Sequence, residues 1–441
     1  MFKRISLHNF KRLSLFLVFL IIVVCTACST SSTQEPASSL LDSSPATSPI
    51  QPTDTAPSLP SETPQESTPT QTPLPPPAIT PTPAGAFKLV IFDPGISPAE
   101  IRDLWVAPHG QLSVATDAGI LVNVNDEWEL LYEGPVERLL GADPDGRIWA
   151  ILEGETAIAA YDMSGSWTVY GPEQGWTVPP PEEYLTPGYG DGIVSGPSGG
   201  VWLATGRDDL RRFDPTSGTW QTFTADDVGF EPPEDEDYQG HFLTDVELSG
   251  NQKVWVGNCI GVGEGLKGQG IRWSDGESWF DAPYTAGECV LDIERDADNR
   301  MWVAGFDALM MYDPATAEWS SFPLPPWDRR QLVTEIALDQ RGNPWVEVLR
   351  FGGASLLGDA ARYHLQDGDW VTDFEGEFSS LAFDEQGTAW LCSAGTVYRL
   401  DSGEREDISG LSGVSCQIVV DGDGRLWIAN NLVLFSYDPG Q

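Results

Sequence analysis

Asp143-Pro144-Asp145-Gly146-Arg147-Ile148-Trp149 is the phrase on which the reading of this chain turns. Its second half returns as Val201-Trp202-Leu203-Ala204, Val254-Trp255-Val256-Gly257, Met301-Trp302-Val303-Ala304, Pro344-Trp345-Val346-Glu347, Ala389-Trp390-Leu391-Cys392 and Leu426-Trp427-Ile428-Ala429. A weaker copy, His109-Gly110-Gln111-Leu112-Ser113-Val114-Ala115, precedes them. Counted from Ser113, the steps are 36, 53, 53, 47, 43, 45 and 37 residues. Within each step, short apolar runs alternate with turns rich in Asp, Pro, Gly and Asn, the pattern of strands joined by hairpins.

One unit shows the content of a step. Val290-Leu291-Asp292-Ile293 reads as a first strand, Met301 to Ala304 as a second, Ala308 to Tyr312 as a third and Trp319 to Phe322 as a fourth. Four short strands in a period near 45 residues specify an all-β fold, the β-propeller, with one four-stranded blade per period. The count is eight blades, or seven if the copy around Ser113 is filler. Leu432 to Tyr437 ends the chain in a third strand, and Phe87 to Phe92 stands alone before the first blade. Joining them completes the last blade from both chain ends and closes the ring, which leaves no open sheet edge between its ends. Apart from the N-terminal apolar run, no segment carries a sustained helical period.

The Asp-x-x-Gly-x-Leu/Val-Trp phrase, followed by Phe213-Asp214-Pro215 or Tyr312-Asp313-Pro314 before a further Trp, resembles the propeller repeats found outside the membrane in bacterial two-component sensors. It is similar, more loosely, to the repeats of streptogramin lyases. The resemblance covers roughly residues 86–441 and implies the fold; many functions sit on such repeats.

Residues 1–28 stand outside that fold. Lys3, Arg4, Lys11 and Arg12 precede the apolar run Leu15 to Val24, and Cys25-Thr26-Ala27-Cys28 follows. This is the shape of a secretory signal. Its end resembles a bacterial lipobox, which implies lipidation of Cys28 after cleavage behind Ala27. Residues 29–85 are almost wholly Ser, Thr, Pro, Gln and Ala. Such a composition buries too little apolar surface to fold and reads as an extended tether. The expectation is an exported protein, lipid-anchored to a bacterial membrane and facing outside or the periplasm, with its propeller over residues 86–441.

The cysteines of the propeller fall into two matching pairs. Cys259 lies four residues after Trp255 and Cys289 thirteen before Trp302; Cys392 lies two after Trp390 and Cys416 eleven before Trp427. A shift along one strand is matched by an equal and opposite shift along its antiparallel neighbour, so the two pairs share one register. Disulfides Cys259–Cys289 and Cys392–Cys416 are therefore expected, each joining consecutive blades, as an oxidising exterior permits. Buried free thiols are the alternative.

The formal charge is −42; without Lys3, Arg4, Lys11 and Arg12 of the leader it is −46. A field of that sign excludes nucleic acid and anionic lipid surfaces as partners. A monomer is expected, touching the membrane through its anchor alone.

Turns between first and second strands are short throughout, whereas the additions at 171–191, 225–241, 259–270, 324–331 and 349–362 fall between blades or between second and third strands. Strand alternation puts all of these on one face, where loops on a rigid scaffold carry function. The candidate ligand-binding residues are Trp176, Tyr184, Tyr189, Phe230, Tyr238, His241, Tyr284, Trp327, Arg329 and Arg330. Exposed aromatics beside charges suit stacking on sugars or clamping a peptide. Packing of the loops onto the rim is the plainer reading for Trp176 and Trp327. The acidic run Glu231 to Tyr238 can offer oxygens to Ca²⁺, although such runs are more often solvated loops, and no other cofactor is expected.

Catalytic signatures are thin. The mature chain has three histidines, His109, His241 and His364, and neither a nucleophile elbow nor a His-Glu-x-x-His zinc motif. The expected function is recognition of a glycan, peptide or protein. A lyase or glycan hydrolase using His241 and acidic loop residues is the alternative, and a structural or adhesion protein of the envelope a third. Thiol titration of the denatured, unreduced propeller is expected to find none of its four cysteines free; four free thiols would refute the pairing.

Overall fold

The computed structural model describes residues 87–438 apart from 93–99, 144, 163, 178–192, 197–198, 206–208, 233–237, 263–264, 328–329, 351–359, 377–378, 394, 401–403 and 408–415. The repeat phrase shows its physical content in the turn that opens it. Asp143 Oδ1 accepts the backbone N–H groups of Asp145 and Arg147, each at 3.0 Å, and so shapes a three-residue hairpin loop. Its other oxygen, Oδ2, accepts the indole N–H of Trp149 at 2.9 Å. Asp296 with Trp302 (3.0 Å), Asp384 with Trp390 (3.0 Å) and Asp421 with Trp427 (2.7 Å) repeat that bond. The last loop residue takes a positive φ, near 80° at Gly146, Gly387 and Gly424, where glycine avoids a Cβ clash. One carboxylate thus fixes both the turn and the rotamer of the large side chain that enters the core.

Eight four-stranded antiparallel sheets, each a meander, are arranged as the blades of a ring. Their first strands are Ile101–Val106, Val136–Ala142, Val194–Ser195, Tyr238–Leu248, Ile293–Arg295, Gln331–Leu338, Ser380–Phe383 and Gln417–Val420. The weak copy around Ser113 is therefore a full blade, and the count is eight. Blade eight takes Leu426–Ala429 and Leu434–Tyr437 from the C-terminal end and Phe87–Leu89 from the N-terminal end. Phe87 stands opposite Tyr437 with the rings stacked at 4.6 Å, so chain ends more than 300 residues apart share one sheet.

The core lies between blades. Trp149, Tyr170, Phe213 and Trp220 form one aromatic packet between blades two and three, with centroids 4.9–5.7 Å apart. Nearer the channel, polar side chains join consecutive blades at five junctions among the described residues. Leu139 N donates to Asp103 (3.1 Å), Ile293 N to Asp245 (2.9 Å), Ile336 N to Asp292 (2.7 Å), Ile418 N to Ser380 (3.0 Å) and Leu104 N to Gln417 (2.8 Å). A first strand is paired by a sheet on one side only, and these bonds satisfy backbone groups on the other.

Both expected disulfides are present, with Cα separations of 4.4 Å for Cys259–Cys289 and 6.0 Å for Cys392–Cys416. They staple blade four to five and blade seven to eight. Two local expectations change. The segment 259–270 is not a loop: Val254–Val262 and Gly265–Ser274 continue their ladder beyond the ring as a hairpin arm. Residues 225–228 form one helical turn, because Thr224 caps it with its side chain on Asp227 N and Gly229 ends it at φ 95°. Among the described residues no helix is long and apolar enough to cross a membrane.

Blade six departs from the latch. Asp339 Oδ2 is taken by Asn343 Nδ2 at 2.9 Å, and Trp345 stacks instead on His364 at 4.5 Å. His364 Nδ1 meets Asp373 Oδ2 at 2.7 Å. Burial opposes protonation of His364, but the hydrogen bond and charge of Asp373 prevail, with help from Gln366 and Asp339, and the pKa is raised above 6.5. A raised folded-state pKa stabilises fully below the unfolded value and is lost as pH rises through the folded one. His364→Gln is therefore expected to lower the free energy of unfolding, read by chemical denaturation, more at about pH 5.5 than at about pH 9, by an amount below about 1 kcal/mol.

Candidate functional site

Two ends of the blades differ in construction. Turns one-to-two and three-to-four lie at one end and are short. Connections between second and third strands and between blades lie at the other, and make the long-loop face. There the crossover from blade five to blade six is pinned from both sides. Leu324 N donates to Asp307 O (2.9 Å), Gln331 N to Asp307 Oδ1 (2.7 Å) and Gln331 Nε2 to Pro325 O (2.8 Å). Leu324 and Gln331 are buried, so the crossover is fastened at these two residues.

That crossover presents Trp327, 41% exposed. The guanidinium of Arg350 lies 4.3 Å from the Trp327 ring and is itself held by the Tyr363 hydroxyl and, at 3.5 Å, by Glu375. Three residues on, Arg330 rests over the Phe306 ring at 3.7 Å, with Asp307 3.8 Å away. Phe306 is fixed in turn by Glu288, which accepts its backbone N–H at 2.7 Å. The result is an aromatic plate backed by one guanidinium, with a second, solvent-facing guanidinium on the same short segment. Such a plate can stack a sugar ring or an apolar side chain. A guanidinium can pair with a carboxylate or phosphate in fork geometry.

The other expected site residues are dispersed. Trp176 is wholly buried: its indole donates to Glu155 O at 3.0 Å, Trp220 packs on it edge-on at 5.3 Å, and Arg211 covers it at 4.3 Å. The turn 172–174 folds the chain back so that Trp176 N reaches Gly171 O, and the ring drops between blades two and three. It is a core residue that fastens the crossover. Phe230 is buried too, over Arg272 at 5.5 Å. His241 lies enclosed beneath Phe230, with Asn258 Nδ2 3.1 Å from its Nδ1. Tyr284 is exposed but stacks on Trp319 of blade five at 5.3 Å, on the outer wall of the ring. Tyr184, Tyr189 and Arg329 lie outside the described residues, as does most of the acidic run, and Tyr238 is placed only as the start of its strand. Among the described residues no three His, Cys, Asp or Glu side chains converge as metal ligands do.

Sequence reasoning missed Arg350, Tyr363 and Phe306. Arg350 carried a faint signal, a base ending the apolar strand Pro344–Arg350 in a chain with 24 bases against 66 acids.

No family model matches this chain, and no curated protein matches it. Solved structures do. A streptogramin B lyase is 12% identical over 80% of this chain and 98% of its own, with a TM-score of 0.43. The extracellular domain of the BT4673 system from B. thetaiotaomicron is 14% identical over 75% of this chain and 50% of its own, at 0.38. YCF48 from Cyanidioschyzon merolae is 12% identical over 81% of this chain and 100% of its own, at 0.43. The sensor and lyase propellers that the repeats resemble are thus among its structural neighbours, at identities that speak of fold alone.

Burial separates the two loop tryptophans. Trp176→Ala is expected to cost about 3–5 kcal/mol in chemical denaturation, and Trp327→Ala less than about 1 kcal/mol. Equal losses would show that Trp327 also serves the core.

Proposed function

We propose that this protein is an exported, lipid-anchored binding protein whose long-loop face recognises a glycan or peptide through Trp327 and Arg330. The observation that carries the reading is the exposed Trp327 indole backed by Arg350 at 4.3 Å on a segment pinned at both ends. A large aromatic that remains exposed while its surroundings are rigid loses little conformational freedom on binding, which is how recognition hot spots are made. Arg330 and Arg350 are cations on a chain of net charge −42. Arg330, the one that faces solvent, favours ligands that bring a carboxylate or phosphate to an otherwise repellent surface. Export is supported by the two disulfides and by the leader-like residues 1–28; anchoring through Cys28 rests on the sequence Cys25 to Cys28.

Glycan and peptide arrays probed with the full chain in mild detergent test this. Hits are expected among acidic glycans or peptides, weakened about tenfold or more by Trp327→Ala, a loss of about 1.4 kcal/mol. Arg330→Ala is expected to weaken acidic ligands and to flatten the salt dependence of binding. Hits indifferent to both substitutions would remove the face from the argument.

A further inference from the structure

The two disulfides share one register but not one neighbourhood. Cys259–Cys289 packs in a buried apolar cluster with Phe306 and Leu332. Phe306 is the ring on which Arg330 rests at 3.7 Å, and Leu332 follows Arg330 by two residues. Phe306 and Leu332 also face each other across an isolated antiparallel bridge. Bonds from Asp307 N to Gln331 O (2.9 Å) and from Val333 N to Gly305 O (3.1 Å) flank that bridge. The disulfide therefore belongs to the packing that supports Arg330.

Glu288, the residue before Cys289, makes the polar half of the same support. Its Oε2 accepts the Phe306 N–H at 2.7 Å. Its backbone is fastened to blade four: Glu288 N donates to Thr285 O and Gly270 N to Glu288 O, both at 3.0 Å. On the far side of Cys289, Val290 N donates to Asn258 O, also at 3.0 Å. Glycine allows the close approach at two places. A Cβ at Gly268, in the hairpin arm, would collide with Glu288 O, and one at Gly305 would lie 3.1 Å from Glu288 Oε2. The arm of blade four, the disulfide and Glu288 thus form one buttress that ends on Phe306. The other staple has no such acid, because Ser415 precedes Cys416.

We propose that Cys259–Cys289 and Glu288 are positioning elements of the ligand site, which hold Arg330 where it meets a carboxylate or phosphate of the ligand. The proposal rests on the reading of Trp327 and Arg330 as recognition residues. The Arg330 side chain is 59% exposed and Asp307 stands 3.8 Å away, so the contact with Phe306 does most to set its direction. A guanidinium placed in advance loses less freedom on meeting an anion than one that must first be ordered. Cys259 and Cys289 are both wholly buried, which makes the disulfide a fixed support and not a switch.

Cys259→Ala with Cys289→Ala opens the disulfide without burying an unpartnered hydroxyl in the cluster. Cys392→Ala with Cys416→Ala controls for the loss of a staple alone. Hydrogen exchange of the full chain, read residue by residue in a mass spectrometer, needs no ligand. Loss of Cys259–Cys289 is expected to speed exchange at the Phe306 and Gln331 amides about tenfold or more relative to the Leu139 amide of blade two. The control is expected to leave that ratio unchanged. Glu288→Ala, which keeps the disulfide, is expected to expose the Phe306 amide likewise, and Glu288→Gln, which keeps an acceptor oxygen, to protect it. Binding is read by calorimetry with 4-nitrophenyl β-D-glucuronide, its glucoside and 4-nitrophenyl phosphate. The unmodified chain is expected to prefer an anion to the glucoside, and the preference to fall about threefold or more without Cys259–Cys289 while persisting in the control. A preference carried by the glucuronide assigns a carboxylate ligand, and one carried by the phosphate a phosphorylated ligand. Where the cysteine variant does not melt cooperatively, Glu288→Ala decides. Unchanged exchange at these amides, or an equal loss of anion preference in the control, would overturn the positioning role and leave the recognition reading standing. No anion preference in the unmodified chain would remove the recognition reading, and this role with it, whatever the exchange shows.

Discussion

The first strand of each blade has a sheet on one side and none on the other. Eight such strands surround the channel, and their inner backbone groups would be orphaned wherever water does not reach. The ring answers with a polar side chain from the preceding blade, as Asp103 does for Leu139, Asp245 for Ile293 and Asp292 for Ile336. These residues are buried, so loss of one leaves a donor stranded in a tight space. Apolar packing between blades tolerates slippage; a carboxylate aimed at one N–H does not.

Much of this was legible and some was not. The Asp…Trp phrase announced the blades because one carboxylate must serve a turn and an indole six residues later, as in Asp296 and Trp302. Where the turn lacks that Asp, as before Trp255, the indole N–H finds no partner among the described residues. The inner ring was equally written in the sequence but went unread. Asp103, Asp245, Asp292, Glu335, Ser380 and Gln417 each stand ten residues before Ser113 or a repeat tryptophan. Arg138 stands eleven before Trp149, since its strand carries a β-bulge there. The eye follows apolar periodicity, and a lone polar residue within it looks like noise.

The loop residues were harder, because exposure is a property of packing and not of sequence distance. Trp176 and Trp327 both sit in Pro-rich crossovers, yet one is sealed by Glu155 and Arg211 and the other lies open over Arg350. Nothing local distinguishes them; what differs is whether an interblade gap waits beneath the ring. The disulfides were easier for the opposite reason. Their register was set by strand geometry, which the tryptophans already marked.

The way the ring is shut has a mechanical side. Phe87–Leu89 is an outermost strand of three residues, and Phe87 pairs with Tyr437, at the short-turn end of blade eight. Any force applied to the chain N-terminal to Phe87 would therefore reach the ring at that end. The same pull falls first on the three-residue strand, not on the inner strands. Blade eight can yield there as a fuse while Gln417 still holds Leu104 and the ring stays whole.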